Sequence, residues 1–593
     1  MKLRVLALDL DGTIAVDGRL ADRVADAVRE ARRGGVMTVL VSGRMLGDVR
    51  AALPVPDDLF DAVVGENGAV VQMRNIRDPV VLARGPHPAL VAEVHRRGLK
   101  PRLGLCMAEF DLTAAPDAIA SLHALDIPYG VGFERGKLLV LPPGVSKASG
   151  LREAVWRLGS SVHNAVAIGD AEDDVSMIDA CEIGAAVAWG SEALQRAVGE
   201  VVAGPGPASV ADYIRRLLVS PTVPPIRPRR APLRLRLGTR ADGTPIDADD
   251  CGRNIIVAGD AKSGKTWLVG MLCEQLILRR YAVCILDPEG DYRSLGTLPG
   301  VIVHRVRPDD DILPEWLERL FQQPALTVVV DLSALAIGAK RAAVRTLLRA
   351  VDAFRRSIGV PHRVFLDEAH YFLHSPEDAK LFDADLGGYC LVTYRIPDLA
   401  SAVLGACDGI IATKLADRRV AERLLGLVTP TPSSEWAEVL ARLPVGEAVL
   451  LPMDPEDEHG ITRFAFASRL TSHVRHRQKY IDVGVAPGRE FVFTRDGWPT
   501  GHRARTLQEF LTILPNVPDD VFARHFTCGD FQRWFEHAVG DRALAEAIVG
   551  LQNGDATAAR AAIVRAIRDR YLEPLSAPAA DGCEDRRSTA GAT

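Results

Sequence analysis

Val5-Leu6-Ala7-Leu8-Asp9-Leu10-Asp11-Gly12-Thr13 is the stretch whose reading decides the fold of the amino-terminal third. An uninterrupted apolar run of this length predicts a strand buried on both faces, as in a parallel sheet, and Gly12 supplies the turn after it. Asp9 and Asp11 therefore stand at the carboxyl end of a strand, where open α/β sheets place their sites. Working outward, Val24, Val28 and Ala31 follow a helical spacing and Gly34-Gly35 stops that helix. Residues 36–41 predict a second strand, ending in Ser42-Gly43-Arg44. Lys147 follows the apolar run Leu139-Val140-Leu141-Pro142, and Val166-Ala167-Ile168 predicts a strand leading into Gly169-Asp170-Ala171-Glu172-Asp173-Asp174.

These residue types suit phosphoryl transfer. A carboxylate attacks a phosphate monoester only if the repulsion between two anions is offset, and a divalent cation on oxygen ligands offsets it. Asp9 is the candidate nucleophile, and Asp9 with Asp170 is the natural ligand pair. Ser42 at a helix start and the Lys147 ammonium can cradle the phosphoryl oxygens. Asp11, two residues from the nucleophile, is placed to protonate the leaving group and later to activate water.

In these motifs, which run in order over residues 1–215, the chain resembles the haloacid dehalogenase superfamily and its Cof-like branch of phosphatases. The resemblance implies a Rossmann-like core, a Mg2+ cofactor, phosphorylation of Asp9 and a backbone ligand to the metal from Asp11. It also gives Ser42, Lys147 and Asp170 the roles argued above and makes Asp174 a further metal ligand. Gly65-Glu66-Asn67-Gly68-Ala69 looks like the branch's segment ahead of its cap, with Glu66 and Asn67 open between turn and site. Asp173 departs from the branch, which commonly has Asn there. The span from about 73 to 138 is too long for a loop and predicts an inserted α/β cap, with Arg102, Glu109 and Arg135 as candidates to contact the leaving group.

Residues 221–232 hold five prolines with Arg227, Arg229 and Arg230, a composition that resists helix and sheet; a linker is expected over 216–232. Beyond it, Asn254-Ile255-Ile256-Val257-Ala258 predicts a buried strand, followed by Gly259-Asp260-Ala261-Lys262-Ser263-Gly264-Lys265-Thr266 and an apolar helix. That is a phosphate-binding loop in its strand–loop–helix setting. Its backbone N–H groups approach phosphates, Lys265 reaches the terminal phosphates of ATP, and the Thr266 hydroxyl binds Mg2+. Val364-Phe365-Leu366-Asp367-Glu368 predicts a second acidic strand end, with Asp367 for the metal shell and Glu368 to activate water. Further strands over 282–286, 327–331, 389–393 and 409–413 predict a parallel sheet with nucleotide at one edge.

Three features make residues 233 to about 455, within an expected P-loop ATPase domain over 233–468, resemble the HerA/FtsK group of DNA-pumping ATPases, with a RecA-like P-loop sheet. They are Leu237-Gly238-Thr239-Arg240 with Gly243-Thr244-Pro245, then Asp287-Pro288-Glu289-Gly290-Asp291-Tyr292, and finally Thr393-Tyr394-Arg395-Ile396-Pro397 at the sensor position. Tyr394 stands where the group often has Gln. Arg395, Arg418, Arg419 and Arg423 are candidate sensor or finger residues, and the resemblance implies a homo-oligomeric ring that acts on DNA.

The remainder supports a multidomain cytoplasmic reading. At 593 residues the chain exceeds what one core usually serves, and 48% hydrophobic with 25% charged residues is an ordinary soluble composition. No apolar run approaches the roughly 20 residues that cross a bilayer. The apolar run after Met1-Lys2-Leu3-Arg4 is broken by Asp9, so export and membrane partners are not expected. The nine cysteines form no Cys-x-x-Cys pair, which indicates neither zinc nor a disulfide framework. A net charge of -6 gives no global attraction to nucleic acid, so the basic segments 227–240 and 475–479 would have to carry any such contact. Residues 485–573 predict a small, mainly helical domain whose aromatic residues form a core, with His525 structural, and 574–593 are expected to be a disordered tail.

Three functions follow. The first is a bifunctional hydrolase: a phosphatase acting on a phosphorylated small molecule or a nucleic-acid end, joined to an ATPase. The second is a polynucleotide end-processing phosphatase/kinase, which would transfer phosphate from ATP. The third is a phosphatase regulated by a nucleotide-binding scaffold.

Overall fold

A computed structural model describes residues 1–571 apart from 17, 54–55, 126–127, 135, 221–233, 250–251, 311–313, 324, 429–433, 453–459, 472–480, 482–483, 486–487 and 550–555. Two compact units result, Met1–His473 and Val474–Thr593.

The amino-terminal sheet grows from β1 (Val5–Asp9), all of it buried. A short hairpin follows, β2 (Ala15–Val16) with β3 (Arg19–Leu20), and then β4 (Met37–Val41), β5 (Ala62–Gly65), β6 (Val70–Met73) and β7 (Val80–Val81). The cap carries β8 (Arg102–Leu103), β9 (Ala108–Asp111), β10 (Gly130–Glu134) and β11 (Lys137–Leu141), and the chain returns through β12 (Ala165–Gly169), β13 (Ile183–Val187) and β14 (Glu200–Val202). The core sheet has the order β14-β13-β12-β1-β4-β5-β6-β7, parallel from β14 to β5. Strand periodicity sorts the side chains. Leu6, Leu8, Leu40 and Ile168 meet one helical layer that includes Asp22–Arg33 and Pro207–Val219. Val5, Ala7, Val39 and Ala167 meet the other, including Lys147–Arg157 and Val175–Ala180. Both faces are thus covered, which is why β1 carries no polar residue before its last position.

The cap is a four-stranded antiparallel sheet, β10-β11-β9-β8, with the helices Pro88–Arg96 and Ala115–Leu125 on one face. The expected start of the cap near residue 73 is corrected by β7, which pairs with β6 and keeps residues 80–81 in the core sheet. On the cap's other face Met107, Leu139 and Leu141 close on Met45 of the core.

The middle sheet has eleven strands: β15 (Arg234–Thr239), β16 (Pro245–Asp249), β17 (Ile255–Ala258), β18 (Val283–Asp287), β19 (Val301–Arg305), β20 (Thr327–Asp331), β21 (Arg363–Leu366), β22 (Tyr389–Thr393), β23 (Gly409–Ala412), β24 (Glu447–Pro452) and β25 (Thr462–Phe466). Their order is β16-β15-β25-β24-β23-β17-β22-β21-β18-β20-β19. The expected parallel sheet is therefore the seven-stranded part of a mixed one, because β24, β25, β15 and β16 pair antiparallel beyond β23. The strand of the phosphate loop, β17, lies inside the sheet between β23 and β22.

The expected linker begins too early at 216, since the helix Pro207–Val219 continues through it with Leu217 buried. Arg227, Arg229 and Arg230, the basic segment 475–479, Arg135 and the tail after 574 lie outside the described residues. In the second unit the expected helices are preceded by a hairpin, β26 (Phe491–Arg495) with β27 (Trp498–Ala504), so Phe491 and Phe493 reach the aromatic core from a strand. His525 has both ring nitrogens engaged, with the Thr494 N–H at 2.9 Å and Asp530 at 2.6 Å. Among the described residues no helix is long and apolar enough to cross a membrane.

Candidate active site

β1, β4 and β12 are neighbours, so the segments after their carboxyl ends converge. Asp9 is 4% exposed, and Lys147, 2% exposed at the start of its helix, puts Nζ 2.8 Å from Asp9 Oδ1. The same ammonium lies 2.7 Å from Asp173 and 2.6 Å from Asp174. Asp9, Asp170 and Asp174 each offer a carboxylate oxygen, all within 4.8 Å of one another. Asp174 is fixed from behind by the backbone N–H groups of Asp170 and Ala171, at 2.9 and 3.2 Å, and Asp170 accepts from the Thr13 hydroxyl at 3.1 Å. Ser42, 1% exposed, follows β4 and accepts from the Arg44 N–H at 3.1 Å.

The electrostatics are those of a cation site. Burial, with Asp174 and Asp170 nearby, pushes Asp9 well above the usual carboxylate range, although Lys147 opposes this. Burial and Asp174 push Asp170 up to about 6. Burial disfavours the Lys147 ammonium, but Asp9, Asp174, Asp173 and Glu134 outweigh it and hold its pKa above the usual value. Three crowded hard-oxygen donors with one ammonium fit a hard divalent cation better than they fit each other. The turn is equally constrained: Gly12 has φ +81°, and a Cβ there would lie 2.2 Å from Asp170 Oδ2.

Three residues of this site were not among the sequence candidates. Arg44 clasps Asp11 with two hydrogen bonds, Nε to Oδ2 at 2.7 Å and Nη2 to Oδ1. It was legible as the third residue of Ser42-Gly43-Arg44. Trp189 donates to the Gly12 carbonyl at 2.7 Å, and Glu134 of β10 lies against Gly43; neither had a local sequence signal. The cap candidates serve elsewhere. Arg102 pairs with Asp48 at 2.8 Å and with buried Glu109 at 3.2 Å, tying cap to core. Glu66 does the same through its carboxylate, which accepts from the N–H groups of Leu105, Cys106 and Met107 at 2.8, 2.7 and 3.1 Å. Asn67 sits beside it at φ 53°.

A second site lies at the carboxyl end of β17. Residues 259–264 turn into the helix Lys265–Leu278, and Lys265 Nζ folds back on the carbonyls of Gly259 and Asp260 at 3.0 and 2.8 Å. Ser263 Oγ meets Thr413 Oγ1 at 2.5 Å, and Asp260 accepts from the Ala416 N–H at 2.7 Å. Ala261 and Lys262 complete the loop, with Lys262 at φ 66°. Thr266 Oγ1 is 3.4 Å from Asp291, and Asp287 accepts the N–H groups of Glu289, Gly290, Asp291 and Tyr292, which shapes the loop that carries Asp291. Asp367 and Glu368 follow β21, both buried, with Glu368 at φ 49°. His370 is pushed down to about 3 by burial and by Arg395 and Lys265, and its Nδ1 contacts Thr393 Oγ1 at 3.1 Å. Tyr394 hydrogen-bonds Tyr371 at 3.1 Å, and its ring lies 6.0 Å from Lys265 Nζ and 5.3 Å from the Arg395 guanidinium. Arg395 is thus at this site. Arg418, Arg419 and Arg423 are exposed on a separate helix, with Arg418 paired to Glu422 at 2.8 Å.

Fold and sites define an α/β phosphatase domain followed by a P-loop nucleotide-binding domain. A family model described as haloacid dehalogenase-like hydrolase matches residues 6–97 and 112–214, and one described as the central domain of helicase HerA matches 236–335. The chain is 30% identical over 226 residues to a phosphoglycolate phosphatase of Aeropyrum pernix, covering 36% of this chain and 94% of that protein. A phosphoglycolate phosphatase of Methanothermobacter thermautotrophicus is 29% identical over 226 residues, with 36% and 99% covered. Among solved structures, a haloacid dehalogenase-like hydrolase of Bacteroides thetaiotaomicron is 19% identical at a TM-score of 0.33, covering 36% of this chain and all of that one. The chain belongs, through its amino-terminal region, to the haloacid dehalogenase-like hydrolases, and it carries a HerA-like domain behind it.

Proposed function

We propose that this protein is a bifunctional hydrolase, pairing a Mg2+-dependent phosphomonoester phosphatase with an ATPase that acts on DNA as a ring. The observation that carries the phosphatase half is the convergence of Asp9, Asp170 and Asp174 within 4.8 Å beneath the Lys147 ammonium. Asp9, Asp170, Asp174 and the Asp11 carbonyl would hold the ion, which supplies charge neutralisation for an attack between anions. Asp9 attacks phosphorus and becomes an aspartyl-phosphate, while Ser42 and Lys147 bind the phosphoryl oxygens. Asp11, oriented by Arg44, gives a proton to the leaving oxygen and then takes one from the water that hydrolyses the intermediate. Arg44 and Trp189 act as positioning residues. The substrate is a phosphorylated small molecule, a class supported by the relatives named phosphoglycolate phosphatase.

In the second half, loop residues 259–266 would hold the nucleotide phosphates and Thr266 and Asp367 would hold Mg2+, which would offset phosphate charge, while Glu368 activates water and Arg395 acts as sensor. Glu368 beside Asp367 favours hydrolysis over transfer to a nucleic-acid end, which sets this reading above a phosphatase/kinase. The domains we propose are the phosphatase through Val219, with its cap beginning after Val81, and the P-loop domain from Arg234. The described cysteines are free thiols, six of seven buried, which supports a cytoplasmic protein.

The test is phosphate release by the wild type, Asp9→Asn and Glu368→Gln, offered phosphoglycolate, sugar phosphates, 3′-phosphorylated DNA and ATP. Asp9→Asn should abolish monoester hydrolysis and leave ATP turnover. Glu368→Gln should cut ATP turnover by about 10²- to 10⁴-fold and leave the monoesters. Loss of one activity in both variants would sink the two-site reading.

A further inference from the structure

We propose that Glu134 of the cap is the specificity-determining residue of the phosphatase site, and that it selects leaving groups bearing hydroxyl or ammonium groups over leaving groups bearing a carboxylate. The inference rests on the phosphatase reading above.

The geometry is specific. β10 pairs with β11, Glu134 lying opposite Lys137, so the end of β10 is fixed by the strand that runs on toward Lys147. From there Glu134 reaches into the core domain. A Cβ built on Gly43 would lie 1.7 Å from its Oε2 and 2.6 Å from its Cδ, so the carboxylate occupies the space that only a glycine leaves open. Gly43 separates Ser42, to which the phosphatase reading gives the phosphoryl oxygens, from Arg44, which holds Asp11. Glu134 therefore stands where the phosphoryl group ends and the leaving group begins. Its charge is felt at both cations of the site, Arg44 and Lys147. Of the described cap cations near it, Arg102 pairs with Asp48 and Glu109, and Lys137 with Asp111.

The charge balance points the same way. Among the described residues the site gathers the carboxylates Asp9, Asp11, Glu134, Asp170, Asp173 and Asp174 against the cations Arg44 and Lys147. Both cations are already bound to carboxylates of the catalytic layer. A divalent ion and a phosphate dianion offset each other, so the excess of negative charge persists when substrate binds. A further carboxylate beside Glu134 meets like charge in a half-buried setting. A hydroxyl can donate to Glu134, and an ammonium can pair with it.

The experiment measures kcat/KM of the full-length protein with Mg2+ for phosphoglycolate, glycerol 3-phosphate and ethanolamine phosphate, in the wild type, Glu134→Gln, Glu134→Asp and Asp9→Asn. The wild type should prefer glycerol 3-phosphate and ethanolamine phosphate to phosphoglycolate by at least tenfold. Glu134→Gln should raise the phosphoglycolate value relative to ethanolamine phosphate by at least tenfold, and Glu134→Asp, which keeps the charge, should retain the wild-type order. A wild-type preference for phosphoglycolate overturns the inference without recourse to any variant. Asp9-dependent turnover whose substrate ratios are unmoved by Glu134→Gln overturns it alone. Turnover that survives Asp9→Asn, or none of the three hydrolysed, overturns the phosphatase reading and this inference with it.

Discussion

Gly12 illustrates how tightly single residues are specified around the phosphatase site. It combines φ +81° with a Cβ position 2.2 Å from Asp170 Oδ2, so an alanine there is strained in the backbone and displaces a carboxylate of the cation site. Gly12→Ala should lower monoester turnover by about 10²-fold, the usual consequence of misplacing a reacting group by an ångström. A steady-state assay at saturating Mg2+ checks this, and a variant within threefold of wild type would count against the placement. Arg44 was visible in the sequence only as part of a motif; that it grips Asp11 by two bonds is a fact of folding, since Asp11 and Arg44 follow different strands. Arg44→Lys keeps the charge but loses the fork. It should reduce kcat with little change in KM, whereas an equal loss in Asp11-independent binding would appear in KM.

At the scale of elements, the segment after β25 matters more than its irregular backbone suggests. Arg469 is fully buried and its Nε lies 3.1 Å from Glu274, on the helix that begins with Lys265 and Thr266. Glu274 also accepts the N–H groups of Leu470 and Thr471 at 2.6 and 2.9 Å, and the Thr471 hydroxyl. Arg469 reaches the Thr266 carbonyl at 3.4 Å, so this strap braces the helix that presents the phosphate-binding residues. Removing one member leaves the other charge buried without its partner. Glu274→Ala should cost about 3–5 kcal/mol, measured as the shift in chemical denaturation of the full chain. A loss below about 1 kcal/mol would mean that the strap is not held by this pair. No sequence pattern marks Glu274, because a lone acid in an apolar helix looks the same whether paired or solvated.

At the scale of the molecule, a buried polar layer joins the phosphatase and P-loop domains within the unit Met1–His473. Asn164 donates to the carbonyl of Gly359 at 3.1 Å and accepts from His362 Nε2 at 3.0 Å, while His362 Nδ1 accepts the Ala282 N–H at 2.8 Å. Glu182 accepts from Tyr281 at 2.8 Å and faces His163 at 3.3 Å and Arg363 at 3.5 Å; His163 stacks on Tyr281 with centroids 3.6 Å apart. Asn164, Ala282 and His362 directly precede β12, β18 and β21, and Glu182 directly precedes β13, whereas Asp170, Asp287 and Asp367 lie at the carboxyl ends of β12, β18 and β21. One strand length, about 17 Å, separates the interface from each site. Burial works to raise Glu182, but His163, Arg363 and Tyr281 outweigh it and hold it down to about 2. Burial and the neighbouring cations push His362 well below the usual histidine range. Both groups are depressed in the folded protein, so the unfolded chain binds the extra protons and stability falls as pH is lowered. The His362 contribution is complete above about pH 6.5 and declines below it; that of Glu182, on the order of 3 kcal/mol, is complete above about pH 4.5 and is lost as pH falls toward 2. Thermal unfolding of the full chain should show a falling Tm from pH 7 to pH 5, and His362→Gln should flatten that slope. A slope unchanged by the variant would show that the acid sensitivity arises elsewhere.

The sequence by itself determined the two α/β domains and their order. Buried parallel strands must be apolar throughout, and catalytic acids, hydroxyls and phosphate loops must follow such strands directly, so Asp9, Ser42, Asp170, the 259–266 loop and Asp367 were each legible from local pattern. Only the tertiary structure decided what meets across long separations. It put Glu134 over Gly43, turned Arg102 and Glu109 into a tie between cap and core, placed β17 inside a mixed sheet, and buried His163, Asn164 and Glu182 against Tyr281, His362 and Arg363. The physical reason is that local pattern reports which side of an element is buried, whereas the partner of a buried charge is set by the packing of elements distant in sequence.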